Sequence, residues 1–163
     1  MVWQLRRATV DDLDAIMAIE HAVFPTDAWS AESMGSELAS VHGVYLVAFE
    51  HATPHEIVAY AGLLAPRGAS QADIQSVAVV ESARRQGLAR TLVLSLIDEA
   101  RDRGAREIFL EVRVDNPGAQ ALYDSLGFEG IAVRKGYYQP DNVDGLVMRL
   151  EVPAPKLSPA VGQ

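Results

Sequence analysis

The chain has 163 residues, 49% of them hydrophobic and 22% charged, enough to bury one core and too few for two ordinary domains. It contains no cysteine, which excludes disulfides, thiolate metal sites and a covalent acyl-cysteine intermediate. A formal charge of −8 disfavours general binding to nucleic acid, which needs a positive footprint, and suits cationic partners such as protonated amines and basic peptides. The four histidines, His21, His42, His51 and His55, form no ligand pattern, so no metal is expected. No apolar run approaches the ~20 residues that span a bilayer, and the first residues lack a signal-peptide core. A soluble cytoplasmic protein without a membrane partner is the expectation.

In chain order, Val2 to Arg7 reads as a strand. Thr9 caps a helix with Asp12 in its first turn, and Leu13, Ile16, Met17 and Ile19 give that helix an apolar stripe to about Ala22. Phe24 to Trp29, with Pro25, is a loop. Ser30 caps a second short helix to about Ser40, weakened by Gly35. Val44–Phe49 and Ile57–Leu64 are strands joined by a turn at Ala52–His55, an antiparallel hairpin. Ile74–Val80 is the next strand.

From Gly87 the period changes from two to about 3.6. Leu88, Leu92, Leu96 and Ala100 repeat every fourth residue beside Ala89, Val93 and Ile97, and Gly104 ends the helix. Ile108, Leu110, Val112 and Val114 alternate with Phe109, Glu111 and Arg113 as a strand. Asn116 then caps a helix with Pro117 at its first position. Its buried face is Ala119, Leu122, Tyr123 and Leu126, and Gly127 closes it. Strands near Glu129–Arg134 and Val143–Leu150 complete the pattern. Residues 152–163, with Pro153, Pro155 and Pro159, read as a flexible tail after a single domain over residues 1–151. The order β-α-α-β-β-β-α-β-α-β-β describes an α/β fold, a mixed and mostly antiparallel sheet with helices on both faces.

Two stretches carry chemistry. Arg84-Arg85-Gln86-Gly87-Leu88-Ala89 joins a strand to a helix, where unpaired N–H groups and the helix dipole favour an anion. Leu88-Ala89 rules out a Walker A loop, and the single Gly87 rules out a three-glycine dinucleotide fingerprint. By itself the loop fits an anion site and an ordinary turn with exposed arginines about equally. In the second stretch, Glu111 lies on the strand face opposite Leu110 and Val112, and Tyr123 lies two turns into the next helix. If that helix folds back, the pair suits base and acid roles. Read alone, a surface glutamate and a packed tyrosine account for them more simply.

Together these residues resemble the GNAT superfamily of N-acetyltransferases, and within it the bacterial RimI-type N-terminal protein acetyltransferases. The resemblance covers roughly Leu5 to Leu150. It rests on Arg84, Gly87 and Ala89, on Leu110–Arg113 with Asn116 and Ala121–Tyr123, on Gly127-Phe128, and on Tyr137-Tyr138 with Trp29-Ser30. It implies that acetyl-CoA is the donor, with its pantetheine arm on the backbone near Val77 and Val79. The pyrophosphate would lie on Arg84, Arg85, Gln86, Gly87, Leu88, Ala89 and Arg90, and Asn116 would touch the pantetheine. Glu111 would be the general base, through water, and Tyr123 would protonate the departing thiolate. Phe24, Trp29, Tyr137 and Tyr138 would line a slot for a peptide N-terminus, with a small-subunit ribosomal protein as the family's namesake target. Direct attack in a ternary complex needs no enzyme nucleophile, which agrees with a chain that has no cysteine. The chain departs from the pattern at Val80-Glu81-Ser82, where a proline is usual. Asp73 and Glu129 receive no role. A small-molecule amine acetyltransferase and a non-catalytic acyl-CoA-binding domain are the alternatives on this fold.

Overall fold

A computed structural model describes residues 2–154. One sheet of seven strands organises them, in the order β1-β2-β3-β4-β5-β7-β6. The strands are β1 (Trp3–Arg7), β2 (Gly43–Glu50), β3 (Ile57–Leu64), β4 (Gln71–Val79), β5 (Glu107–Arg113), β6 (Glu129–Tyr138) and β7 (Val143–Glu151). The helices are α1 (Leu13–Val23), α2 (Ala31–Ala39), α3 (Leu88–Asp102) and α4 (Pro117–Ser125). Every pairing is antiparallel except β4 with β5, which the α3 crossover makes parallel. The mixed, mostly antiparallel sheet of the sequence reading is therefore present, with helices on both faces.

The helix starts follow from their caps. Thr9 forms a capping box with Asp12, and Asp12 also takes a bidentate ion pair from Arg6 of β1 at 2.7 and 2.8 Å. A 3₁₀ turn over Val10–Asp12 thus precedes α1. Ser30 accepts from the Ser33 N–H to start α2, and Asn116 accepts from the Ala119 N–H at 3.1 Å to start α4. The apolar stripe of α1 packs with Met34 of α2 on Tyr45, Val47, Tyr60 and Ala78. On the other face, Leu88, Leu92, Val93, Leu96 and Ile97 of α3 and Tyr123 of α4 cover Ile108, Leu110 and Val112.

Three boundaries differ from the pattern reading. β4 begins at Gln71 rather than Ile74, because only its first residues pair with β5. β6 runs on to Tyr138. Val152 is not part of a tail: it is buried, and its N–H reaches the Arg106 carbonyl at 2.9 Å. The rest of the expected tail, from residue 155, lies outside the described residues.

The feature that positions the site is where β4 and β5 part. Their ladder covers only Gln71–Asp73 against Glu107–Phe109. Beyond it β4 stays with β3 as far as Val79, and β5 stays with β7 as far as Arg113. A bulge at Gln75 of β4, opposite the step between Gly62 and Leu63, bends the strand away from β5. The two strand edges therefore face each other across a wedge, in the middle of the sheet, with unpaired backbone groups on both sides.

Candidate active site

The wedge opens into a cavity of about 820 Å³. Val77 and Val79 of β4 form one wall, and Asn116, Ala119 and Tyr123 of α4 form the other. Its floor is the turn before α3, from which Arg84, Arg85, Gly87, Leu88, Ala89 and Arg90 contribute. A second hollow, of about 130 Å³, lies against it. The two share Phe24, Asp27, Val77, Arg113, Asn116, Ala119 and Tyr123, so they adjoin along the wedge. Glu20, Trp29, Glu111 and Tyr138 line only the smaller half.

The turn before α3 has the geometry of an anion nest. Arg85 and Gly87 both take left-handed conformations, with φ of 65° and 75°, which turns successive N–H groups the same way. The first hydrogen bond of α3 runs from Thr91 to the Gly87 carbonyl. The N–H groups from Arg85 through Arg90 have no partner among the described residues. Arg84 is fixed by donating from Nε to the Val79 carbonyl at 3.1 Å, and Arg90 by donating to Ser125 Oγ at 2.9 Å. A positive dipole end, three arginines and a row of free donors meet at one end of the larger cavity.

The candidate base and acid lie in the smaller hollow. Glu111 and Tyr123, twelve positions apart in the chain, both line it, because α4 does fold back along β5. Gln120 of α4 secures this return, donating to the carbonyls of Arg113 and Val114. The Glu111 carboxylate points away from Leu110 and Val112 and accepts from Arg134 Nη1 at 3.0 Å. Tyr123 packs edge-on against Phe128, with ring centroids 5.9 Å apart. Burial pushes its phenol up to about 12, so it keeps its proton at any working pH. Asp73, in the last β4–β5 pair before the wedge opens, has a carboxyl raised by burial and by the Glu111 charge.

Most of the residues singled out in the sequence meet here, and two stand apart. The Gln86 side chain turns outward and accepts from Trp3 Nε1 at 3.1 Å. Tyr137 lines neither cavity; it is 43% exposed, with Arg134 stacked 4.5 Å over its ring, and it buttresses Tyr138 edge-on. Tyr138, Phe24 and Trp29 do line the smaller hollow.

Other residues of the site were missed. Arg113 joins three segments at the mouth of the larger cavity, contacting Asp115 at 2.9 Å, Asp141 at 3.2 Å and Asp27 at 3.4 Å, beside the Tyr138 ring. Nothing in the sequence pairs Arg113 with Asp27 or Asp141, because those two lie on loops far from it in the chain. Glu20 did leave a signal: it sits four residues after Ile16, on the apolar stripe of α1, and is buried.

Residues 13–128 match the acetyltransferase (GNAT) family, and the chain belongs to that family. Within it, the similarity is to RimI-type enzymes. A putative ribosomal protein bS18-alanine N-acetyltransferase of Bacillus subtilis is 31% identical over 145 residues, covering 88% of this chain and 92% of that protein. The crystal structure of the ribosomal-protein-S18-alanine N-acetyltransferase from Escherichia coli superposes with a TM-score of 0.84 at 29% identity, covering 95% of this chain and 97% of that one. An uncharacterized protein of Mycobacterium leprae is 36% identical over 146 residues, 88% of this chain but only 39% of the relative's own length. The donor in this family is acetyl-CoA, and the anion nest beside an open strand edge fits its pyrophosphate and amide-bearing arm.

Proposed function

We propose that the chain transfers the acetyl group of acetyl-CoA to the α-amine at the N-terminus of a protein or peptide. The observation that carries this reading is the continuous wedge between β4 and β5, with an anion nest at one end and Glu111 among aromatic walls at the other. The loop from Arg84 to Arg90 holds the pyrophosphate. The unpaired edge of β4 at Val77 and Val79 holds the pantetheine amides, as a missing strand would, and Asn116 lies against the same arm. The acetyl group then faces the smaller hollow.

An α-ammonium is no nucleophile, so a proton must leave before attack. Glu111 accepts it through water, while Arg134 holds the carboxylate in place. The amine attacks the thioester carbonyl directly, the C–N bond forms, and the C–S bond breaks as the thiolate departs. Tyr123 donates a hydrogen bond to that sulfur. A phenol at about 12 is a weaker acid than a thiol near ~8.5. Full transfer from it is uphill, so Tyr123 stabilises the departing thiolate by the hydrogen bond, and the thiolate takes its proton from solvent after release. Phe24, Trp29 and Tyr138 line the acceptor slot, with Tyr137 behind Tyr138. The names of the relatives point to a small-subunit ribosomal protein as the first acceptor to try, and to the cytoplasm, where ribosomes are found.

Glu111→Gln tests the assignment. Turnover should fall by about 10²- to 10⁴-fold, the usual range for a general base, while acetyl-CoA still binds as in the unaltered protein. Unchanged turnover with donor binding intact would remove Glu111 from the chemistry.

A further inference from the structure

We infer that Glu20 is a positioning residue of the acceptor side, the buried anchor that holds the Phe24–Trp29 loop against the reaction centre. The inference rests on the acceptor assignment made above. Glu20 is 1% exposed in the middle of the apolar face of α1, and among the described residues it has no cationic partner. A carboxyl group there costs desolvation that a leucine would avoid, so packing does not account for it.

Its hydrogen bonds do. One carboxyl oxygen accepts from the Trp29 backbone N–H at 2.8 Å. The other accepts from the Tyr60 hydroxyl of β3, which also meets Ser76 Oγ of β4 at 2.8 Å. Tyr60 is wholly buried and stacked on Tyr45, so this end of the chain is rigid. Residues 25–29 have two other side-chain ties, Thr26 to Asp141 and Asp27 to Arg113, and both run to the cavity mouth. Among the described residues, Glu20 is the one side chain that ties the loop to the sheet interior by hydrogen bonds. It does so beside Phe24 and Trp29 in the same hollow as Glu111. The chain Ser76–Tyr60–Glu20–Trp29 thus sets the acceptor wall relative to the very strand on which the donor lies.

Steady-state kinetics with a short alanine-first peptide, alongside direct acetyl-CoA binding, test this. Glu20→Leu should raise the peptide KM by about 10- to 100-fold, the size of a lost charge-assisted hydrogen bond, with acetyl-CoA affinity within about twofold. Glu20→Gln, whose amide can still accept from Trp29 and donate to Tyr60, should restore the KM to within about threefold. If Glu20→Leu does not fold, Tyr60→Phe takes its place, with the peptide KM raised only about fivefold because the Trp29 N–H still binds Glu20, and donor affinity unchanged. Lower melting temperature with an unaltered peptide KM, or equal losses in peptide and donor binding, would overturn the anchor. Failure of the unaltered protein to acetylate any peptide would instead overturn the acceptor assignment itself.

Discussion

Tyr123 illustrates how a single side chain can serve the fold and the proposed chemistry together. It belongs to the core beneath α4 and also lines the wedge. Tyr123→Phe keeps the packing and should lower kcat by about 10²-fold, the low end for a proton donor, with acetyl-CoA affinity retained. Its ionisation has a second consequence. Burial raises the phenols of Tyr45, Tyr60, Tyr123 and Tyr138 above their usual range. Above a pH of about 10 the unfolded chain loses phenolic protons that the folded chain keeps, so ionisation favours unfolding. Thermal melts should therefore hold steady from pH 7 to 9 and fall progressively above about 10. Tyr123→Phe should remove its own share of the loss between about 10 and about 12. A melting temperature that rises with alkali would contradict the buried positions of these rings. At this scale the sequence was readable where a residue type departs from its surroundings, as Glu111 does on its strand. It was unreadable for Arg113, two of whose three acidic partners, Asp27 and Asp141, come from distant loops.

Among the elements, the turn before α3 carries the donor assignment. Gly87 holds φ of 75°, with no atom within 4 Å of a would-be Cβ. Space is not what demands glycine there; the left-handed backbone is. Gly87→Ala should cost about 1–2 kcal/mol of backbone strain, relieved by turning the N–H row away from the pyrophosphate. The acetyl-CoA KM should rise about tenfold, one 1.4 kcal/mol step, and the peptide KM should stay put. Gly62 is constrained differently. A Cβ there would lie 2.2 Å from the Tyr45 ring, so Gly62→Ala must displace the Tyr45–Tyr60 stack. Overpacking should cost about 1–3 kcal/mol of stability, read as a lower melting temperature. The helix caps at Thr9, Ser30 and Asn116 and the amphipathic period of α3 were legible because each is local. The extension of β6 to Tyr138 was not, since it depends on pairing with β7 across a shifted register.

For the molecule as a whole, the parting of β4 and β5 decides function. Periodicity shows that Ile74–Val79 and Ile108–Val112 are strands, but not that neighbours in the sheet separate after three residue pairs. The bulge at Gln75 and the return of α4 onto β5 produce that opening, and both are tertiary. The resemblance to GNAT enzymes supplied what the pattern could not, the expectation that loop, strand edge and Glu111 converge. Charge is arranged to match. The −8 of the chain favours a cationic acceptor over long range, while Arg84, Arg85 and Arg90 make one end of the cavity locally positive, as the proposed donor site requires. The most direct measurement is mass spectrometry of acetyl transfer from acetyl-CoA to a peptide panel. The panel pairs each peptide carrying a free α-amine with the same peptide blocked at its N-terminus but bearing a lysine, and includes polyamines. Acetylation confined to free α-amines is the expected result; acetylation of polyamines or lysine side chains with none on any peptide N-terminus would contradict it.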